Sequence, residues 1–393
     1  MSKVILFANT DWYLYNFRLS LARKLRELGH EVVLLSPPGE YGPQLRALGF
    51  RWEPAPMVRR SLNPLREVTL LMWLVRFLRR ERPDLVHGFT IKCAVYGSLS
   101  SRLAGVAVRV NAVAGMGYVF SSRDVKAVVL RPLVRRVMRM AFGGKRSMLI
   151  LQNPDDLALF RTANIVDERA IRVIKGSGVN ISRFKPRSEE AEPLEAQPLR
   201  VVLAGRLLWD KGIAEYVEAA RILKAEGRSV RCILAGTPDP GNPAAVDENL
   251  LRGWVRDGLV EWLGHVSDMP ALFAETDVAV LPSYREGLPK SMIEAAACAL
   301  PLIITDAPGC REVVGIDGEE GLMVPVRDGR ALAGAIRRLD DDRALARKLG
   351  EAARQKALRE FDEQIIIERT LAVYREVLEP ARQAMPVSGS VVP

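Results

Sequence analysis

The sequence is poor in cysteine and histidine, and it contains no long uninterrupted apolar run. The four cysteines show no Cys-x-x-Cys spacing and lie in apolar or helical contexts, so we expect buried, reduced thiols. Only three histidines occur, and no His/Cys cluster has ligand spacing, so no metal site is predicted. The most apolar run, Val68–Leu78, is interrupted by Arg76 and is too short to span a bilayer.

Sequence features of secreted proteins and of the common phosphate-binding loops are also missing. The start of the chain has an apolar run of five residues, Val4–Ala8, which is shorter than the core of a signal peptide. Together with the cysteine pattern, this favours a cytoplasmic protein. Neither a G-x-x-x-x-G-K-S/T nor a G-x-G-x-x-G run is present. We therefore expect any phosphate site to be built differently.

Positive charge is concentrated in the first part of the chain. Residues 1–150 hold 25 Lys and Arg against 9 Asp and Glu, whereas residues 151–393 hold 32 against 38. The first part thus carries a net charge of about +16 and the rest about −6. A basic half of this kind is typical of proteins that bind nucleic acid, anionic membrane or an anionic substrate.

Short apolar strands alternate with helical segments along both halves, which predicts an α/β fold with two doubly wound, Rossmann-like domains. The acidic, proline-rich stretch 186–198 reads as a linker between them. We therefore divide the chain into the segments 1–185, 186–198, 199–362, a final helix at 363–385 that could pack back on the first domain, and a disordered tail at 386–393.

Two glutamates eight residues apart lie on either side of a predicted helix start. Glu286 follows the apolar strand ending near Leu281, and Glu294 lies roughly two turns inside the next helix. Between them, Gly287 and Leu288 are predicted to offer backbone N–H groups at the helix N-terminus, which favours a bound phosphate. Carboxylates on both sides of an anion site suit a nucleotide sugar.

A second element supplies cations. The buried strand Leu199–Ala204 is followed by Gly205 and Arg206, and Lys211 then precedes an amphipathic helix. Arginine offers a rigid fork for phosphate oxygens, whereas lysine offers a mobile point charge. Arg206 and Lys211 therefore fit a diphosphate leaving group.

These motifs resemble the family 4 retaining glycosyltransferases. The resemblance lies in the E-x7-E pair, in the strand-Gly-Arg-x4-Lys-Gly element and in the segment 305–314. Segments 86–98, 111–120 and 235–240 resemble the subgroup that acts on undecaprenyl-diphosphate-linked sugars. The resemblance implies the GT-B architecture, in which two doubly wound domains face each other across a cleft.

The resemblance also implies roles for the motif residues. Glu294 would bind the ribose diol of a UDP-sugar, and Glu286 would contact the donor sugar beside the reacting carbon. Arg206 and Lys211 would stabilise the diphosphate with no metal ion or other cofactor. Pro289 stands where the family often has glycine, and it removes one N–H donor.

Candidate acceptor residues follow predicted strands of the first domain. They are Asn9, His87, Lys92, Asn111 and Gly115. Each has a plainer alternative: Lys92 could be an exposed residue at a helix start, and the loop of Asn111 and Gly115 could be a simple turn. The family often has histidine near residues 112–114, where this chain has none. The identity of the histidine that would activate the acceptor is therefore left open.

The stretch 126–146 contains seven basic residues, many large apolar ones and no acid. A solvated basic face is the plain interpretation. The mixture favours a helix lying on anionic lipid, and no nucleic-acid module accompanies the charge. The predicted membrane residues are Arg131, Arg135, Arg136 and Arg139.

The sequence thus predicts a retaining hexosyltransferase. It would move a sugar, an N-acetylhexosamine on subgroup resemblance, from a UDP-sugar to a polyprenyl-diphosphate-linked saccharide in surface polysaccharide or glycan assembly. It would work as a peripheral protein on the cytoplasmic face of the inner membrane. Two alternatives are a UDP-sugar 2-epimerase of the same fold and a non-catalytic scaffold that binds sugar nucleotides.

Overall fold

The computed structural model describes residues 1–61, 63–113, 125–187 and 198–383, with backbone only for 125–130 and 380–383. It divides into two compact units. The first comprises Met1–Ser177 and the chain from Ile366 onward, and the second comprises Gly178–Ile365. Predicted segments that fall on residues 188–197 and 386–393 lie outside the described residues.

The unit boundaries differ by a few residues from the predicted ones at 185 and 363. Val179 forms an isolated parallel bridge with Asp362, and the Asn180 amide donates to Glu363 Oε1 at 2.8 Å. These contacts hold residues 178–184 in the second unit. From Ile366 the final helix contributes apolar side chains to the core of the first unit.

The first unit contains a seven-stranded parallel sheet. Its strand order is β3-β2-β1-β4-β5-β6-β7. The strands are β1 (Lys3–Phe7), β2 (Glu31–Ser36), β3 (Arg51–Pro54), β4 (Leu85–Phe89), β5 (Val108–Val113), β6 (Ser147–Leu151) and β7 (Ile171–Val173). Strands β4, β5 and β6 are buried along their whole length, because helices cover both faces of a parallel sheet.

Helices of the first unit connect successive strands. They are α1 (Leu19–Glu27), α2 (Gly42–Ala47), α3 (Pro64–Glu81), α4 (Thr90–Ala104), α5 (Val125–Phe142) and α6 (Pro154–Ala163). A π-helical segment, Leu14–Arg18, precedes α1. Asn63 caps α3 and Asn153 caps α6 with side-chain oxygens, which satisfies N–H groups at both helix starts.

The second unit contains a six-stranded parallel sheet with the order β10-β9-β8-β11-β12-β13. Its strands are β8 (Leu199–Ala204), β9 (Val230–Ala235), β10 (Glu261–Gly264), β11 (Val278–Leu281), β12 (Leu302–Thr305) and β13 (Leu322–Val324). Its helices are α7 (Ile213–Ala225), α8 (Glu248–Arg256), α9 (Met269–Ala274), α10 (Lys290–Ala297), α11 (Gly329–Asp341) and α12 (Arg343–Lys356). The final helix, α13 (Glu363–Gln383), begins in this unit and belongs to the first unit from Ile366.

The predicted α/β class with two doubly wound domains is confirmed. Strands β3, β7 and β13 were not predicted; they are three or four residues long and lie at edges of the two sheets. All four cysteines are buried and unpaired, as expected. Burial raises the pKa of the Cys232, Cys298 and Cys310 thiols to about 12, so these side chains are inert packing groups at neutral pH.

Candidate functional site

The second sheet has its topological switch point between β8 and β11. From β8 the chain continues through β9 and β10 on one side, whereas β11, β12 and β13 extend the sheet on the other. Ligands of doubly wound sheets bind beyond the carboxyl ends of strands at such a point. Arg206 and Lys211 follow β8, and Glu286 follows β11. The three residues predicted to be catalytic therefore lie beyond these two adjacent strand ends.

Lys211 and Glu286 form an ion pair between the lysine ammonium and Glu286 Oε1. Lys211 ends a short 3-10 turn, Trp209–Lys211, and Gly212 follows with φ of 74°. A Cβ atom on Gly212 would overlap the carbonyl oxygen of Pro282. Glycine at this position lets the two loops approach closely enough for the pair to form.

Further contacts with Ser283 and with the turn at Pro308 and Gly309 fix the Glu286 loop. Ser283 is fully buried, and its hydroxyl donates to Glu286 Oε1 at 2.8 Å. The Glu286 amide donates to the Pro308 carbonyl at 2.9 Å. Gly309, with φ of 78°, packs against the Glu286 and Gly287 carbonyls, where a Cβ atom would overlap both oxygens. The carboxylate is therefore held in one position before any ligand contact is considered.

Arg206 lies at the neighbouring strand end and forms an ion pair of 2.9 Å with Asp239. The approach of the two loops again depends on glycine. Gly236 has φ of 150°, and a Cβ atom there would overlap the Gly205 carbonyl oxygen. About half of the Arg206 side chain stays exposed. A guanidinium has five N–H donors, so Arg206 can keep Asp239 and also bind a phosphate oxygen.

The start of helix α10 differs from the predicted one. The helix begins at Lys290, with Pro289 as its N-cap residue. Gly287 and Leu288 precede the cap and lie on the loop before the helix, as predicted. Their contact with a bound phosphate stays a prediction. Glu294 is accordingly the fifth helical residue, a little over one turn inside and not two.

Glu294 is a largely buried carboxyl group. Burial raises its pKa to about 7, and the nearby Lys290 and Arg183 charges lower it only partly. The Lys290 ammonium is 3.9 Å from Glu294 Oε1. A buried carboxylate with little compensation favours ligand hydroxyls that donate to it, which agrees with the predicted diol contact.

Three residues near this site were not identified from the sequence. Ser283 orients Glu286, and Asp239 holds Arg206. Tyr284 donates to Glu215 Oε1 at 2.7 Å, and the Arg327 guanidinium lies over its ring. The Ser-x-x-Glu spacing was a usable signal for Ser283. Asp239 lies in the segment 235–240 that resembles the subgroup, but no role was predicted for it. No local signal indicates Tyr284, because its partners Glu215 and Arg327 are distant in the sequence.

His87, a predicted acceptor residue, does not lie at a strand end as expected. The apolar pattern predicts a strand over 84–87, but β4 continues to Phe89, so His87 lies inside the sheet with 1% of its surface exposed. Its Nδ1 atom is 2.6 Å from the Tyr374 hydroxyl of α13. Burial, helped by the Arg18 charge, holds the pKa of His87 well below its usual value. The histidine is a neutral core residue that packs α13 against β4.

Lys92 and Asn111 also have structural partners that disagree with an acceptor role. The Lys92 ammonium donates to Glu67 Oε1 at 2.8 Å and to the Val58 and Ser61 carbonyls at 2.9 and 3.2 Å. Those contacts use its three donors. Asn111 is buried within β5, where its Oδ1 atom accepts from the Ser98 hydroxyl at 2.8 Å.

Asn9 keeps the position predicted for it. It follows β1 by two residues, is partly exposed, and lies near the switch point of the first sheet, between β1 and β4. Its acceptor role stays a prediction. Gly115 lies outside the described residues.

The four predicted membrane arginines line one open groove of about 670 Å³ on α5. Leu133 and Met140 of this helix are exposed, as lipid contact would require, whereas Phe142, which was expected to contact lipid as well, is buried in the core together with Met138. The groove is lined by Arg131, Arg135, Arg136 and Arg139, together with Pro132, Leu133 and Ala163.

No helix in the part of the chain that the structure describes is long and apolar enough to cross a membrane. Among the same residues, no group of three or more His, Cys, Asp and Glu side chains is arranged to hold a metal ion.

Two family models match the chain, one for each unit. The model described as "Glycosyl transferase 4-like domain" matches residues 16–175. The model described as "Glycosyl transferases group 1" matches residues 198–342, which include the whole candidate site. Between them the two models cover most of the sequence.

Curated relatives align over most of their length. An N,N'-diacetylbacillosaminyl-diphospho-undecaprenol alpha-1,3-N-acetylgalactosaminyltransferase of Campylobacter jejuni is 29% identical over 375 residues, covering 93% of this chain and 96% of the relative. A UDP-Gal:alpha-D-GlcNAc-diphosphoundecaprenol alpha-1,3-galactosyltransferase of Escherichia coli is 25% identical, covering 74% and 75% of the two chains.

Solved structures share the fold. Anabaena HepE in complex with UDP and glucose superposes with a TM-score of 0.76 at 20% identity, covering 95% of this chain and 99% of the other. A glycosyltransferase of Rickettsia africae gives a TM-score of 0.75 at 19% identity, covering 96% and 99%. The GT-B fold expected from the motifs is thereby confirmed.

Replacing Lys211 with methionine should lower kcat for sugar transfer by about 10²–10³, because one preorganised charge beside the leaving group is lost. Arg206→Gln should act in the same direction. Steady-state kinetics with a saturating donor measures the effect, and Lys348→Met, an exposed lysine on α12, is the matched control. An unchanged kcat in both site variants would remove these cations from the mechanism.

Glu294 should make donor affinity pH-dependent. Since its pKa is about 7, the carboxylate protonates as the pH falls below neutrality and loses capacity to accept from a diol. We expect the Kd for a UDP-sugar to rise about tenfold one pH unit below that pKa. Titration calorimetry without acceptor measures it. Glu294→Gln should bind weakly and nearly independently of pH in this range, and a wild-type-like profile in that variant would refute the ribose contact.

Proposed function

Because this chain belongs to the family 4 glycosyltransferases of GT-B fold, we propose that it moves an N-acetylhexosamine from a UDP-sugar to a polyprenyl-diphosphate-linked saccharide. The transfer would retain the anomeric configuration and serve surface polysaccharide or glycan assembly. The observation that carries the proposal is the ion pair of Lys211 and Glu286 beyond the two strand ends of the switch point, with Arg206 on the same side.

The paired cations account for leaving-group chemistry. Departure of UDP leaves negative charge on the diphosphate, and Lys211 has two ammonium protons available besides the one that contacts Glu286. Arg206 can add a second charge from β8. We propose that these side chains stabilise the diphosphate without a metal ion or other cofactor, and that its oxygens help to deprotonate the acceptor during front-side attack.

Glu286 has a different task in this proposal. Its carboxylate is fixed by Ser283 and Lys211, so it can accept hydrogen bonds from donor-sugar hydroxyls without a change of rotamer. Such preorganisation limits the entropy lost on binding and keeps the anomeric carbon within reach of the acceptor. Glu294 would hold the ribose one helical turn away.

Support for the lipid-linked acceptor comes from relatives and from charge. The names of the Campylobacter jejuni and Escherichia coli relatives both specify a sugar on diphospho-undecaprenol. The first 150 residues of this chain carry the large basic excess, which suits an anionic acceptor at an anionic surface. We propose that the protein works as a peripheral protein on the cytoplasmic face of the inner membrane, with the arginine groove of α5 toward the lipid.

A donor and acceptor screen tests the reaction. The protein should release UDP and extend a polyprenyl-diphosphate-linked saccharide when supplied with a UDP-N-acetylhexosamine, and mass spectrometry should detect the product. Nuclear magnetic resonance should show retained anomeric configuration, and EDTA should leave turnover unchanged. Turnover only with GDP-sugars, or only with soluble acceptors that carry no lipid diphosphate, would contradict the proposal.

The same screen separates the alternatives when acceptor is omitted. A 2-epimerase would convert the UDP-sugar alone into its epimer, whereas a scaffold would bind it and leave it unchanged with or without acceptor. A transferase should show little change in the donor until the acceptor is added.

Charge reversal on α5 tests the membrane part of the proposal. Arg135→Glu together with Arg136→Glu should weaken sedimentation with anionic vesicles by at least about tenfold, since each basic residue near such a surface contributes about 1 kcal/mol. The matched control is Arg256→Glu with Arg359→Glu, two exposed arginines of the second unit. Equal vesicle binding by both double variants would remove α5 from the interface.

A further inference from the structure

Helix α3 and the loop before it expose a patch of large apolar side chains. Val58, Leu65, Val68 and Met72 are 51%, 80%, 59% and 48% exposed. Single exposed apolar residues are ordinary on soluble proteins, but four in one region indicate a contact surface. Val58 and Leu65 also line a common groove of about 210 Å³.

The patch is a separate face of α3 and not a part of its core packing. Leu65, Val68 and Met72 follow at intervals of three and four residues, so they lie on one side of the helix. The core side is formed by Leu70, Leu74, Val75, Phe77 and Leu78. Helix α3 is thus apolar on the side that faces the core and also on the side that faces solvent.

The loop of Val58 is fastened to this helix. The Lys92 ammonium donates to the Val58 and Ser61 carbonyls and also forms an ion pair of 2.8 Å with Glu67 of α3. Loop and helix therefore present their outward side chains as one surface, and the acidic charge nearest to the patch is already neutralised.

The exposed charged residues around the patch are basic. Arg59 and Arg60 directly follow Val58, while Arg66 and Arg76 are exposed near the two ends of the apolar stripe. This arrangement of apolar side chains with surrounding guanidinium groups suits the boundary between acyl chains and anionic headgroups. A protein partner would require an acidic rim of its own to match these charges.

The patch belongs to the same helical layer as the arginine groove. Helices α3 and α5 both pack against α4, and the core residues beneath them lie on one face of the first sheet. The two surfaces therefore belong to helices of one layer, which covers a single face of the first sheet.

We infer that the surface formed by Val58, Leu65, Val68 and Met72 inserts into an anionic lipid bilayer. It supplies the apolar part of membrane binding, whereas the groove on α5 supplies charge. The inference deepens the proposed function, since a polyprenyl-linked acceptor stays in the bilayer, but the contact itself depends only on the surface of the first unit.

Replacing the helical part of the patch tests the inference. The variant Leu65→Asn, Val68→Asn, Met72→Gln changes no net charge, and all three positions are exposed, so the fold should persist. Its binding to vesicles of phosphatidylethanolamine and phosphatidylglycerol should be about tenfold weaker, and the fraction that resists high salt should disappear, because salt does not screen the apolar contribution. The matched control is Leu250→Asn, Val255→Asn, Leu263→Asn in the second unit.

The outcomes separate lipid from other partners. Wild-type vesicle binding in the α3 variant would overturn the inference, as would concentration-dependent self-association that only the patch variant abolishes. Turnover of a UDP-sugar with a short-chain soluble acceptor should be equal in both triple variants and the wild type. If the wild type has no transferase activity, the proposed function fails, while the vesicle comparison still decides the lipid contact.

Discussion

The ion pair between Lys211 and Glu286 is the contact on which the candidate site depends. It joins the loop after β8 to the loop after β11, so one cation and one carboxylate meet beyond the two central strands of the second sheet. The Ser283 hydroxyl and the turn at Gly309 hold the glutamate in place. A lysine has donors left over after one carboxylate contact, so Lys211 can balance the charge of Glu286 and still donate hydrogen bonds to a phosphate.

The ion pair can form only because the backbones of neighbouring loops approach each other closely. Gly212 lies against Pro282, Gly236 against Gly205, and Gly309 against the carbonyl of Glu286. Each has a positive φ, and a Cβ atom at any of them would overlap a carbonyl oxygen. Three glycines thus let the loops after four strands approach one another closely. This approach brings the charged side chains of these loops together.

Local sequence patterns located the main charged residues of the candidate site in the second unit, but they misplaced two acceptor candidates of the first unit. The E-x7-E pair and the Gly-Arg-x4-Lys element predicted residues that the fold brings to one switch point, because each motif follows a central strand. His87 failed because β4 runs two residues further than its apolar pattern indicated, and its partner Tyr374 is 287 residues away. The prediction for Lys92 failed for a similar reason. Its partners include main-chain carbonyl groups of a loop, which the residue types in the sequence do not reveal.

The two units differ in the charged and apolar features that they expose. The second unit carries the donor motifs, and the first carries the basic groove and the apolar patch.

The central claim, that the Lys211 site holds the donor, is tested most directly by a crystal structure of the protein with a bound UDP-sugar. The account predicts the ribose diol on Glu294, the diphosphate on Arg206 and Lys211, and the sugar beside Glu286. A nucleotide bound away from the carboxyl ends of β8 and β11 would contradict it.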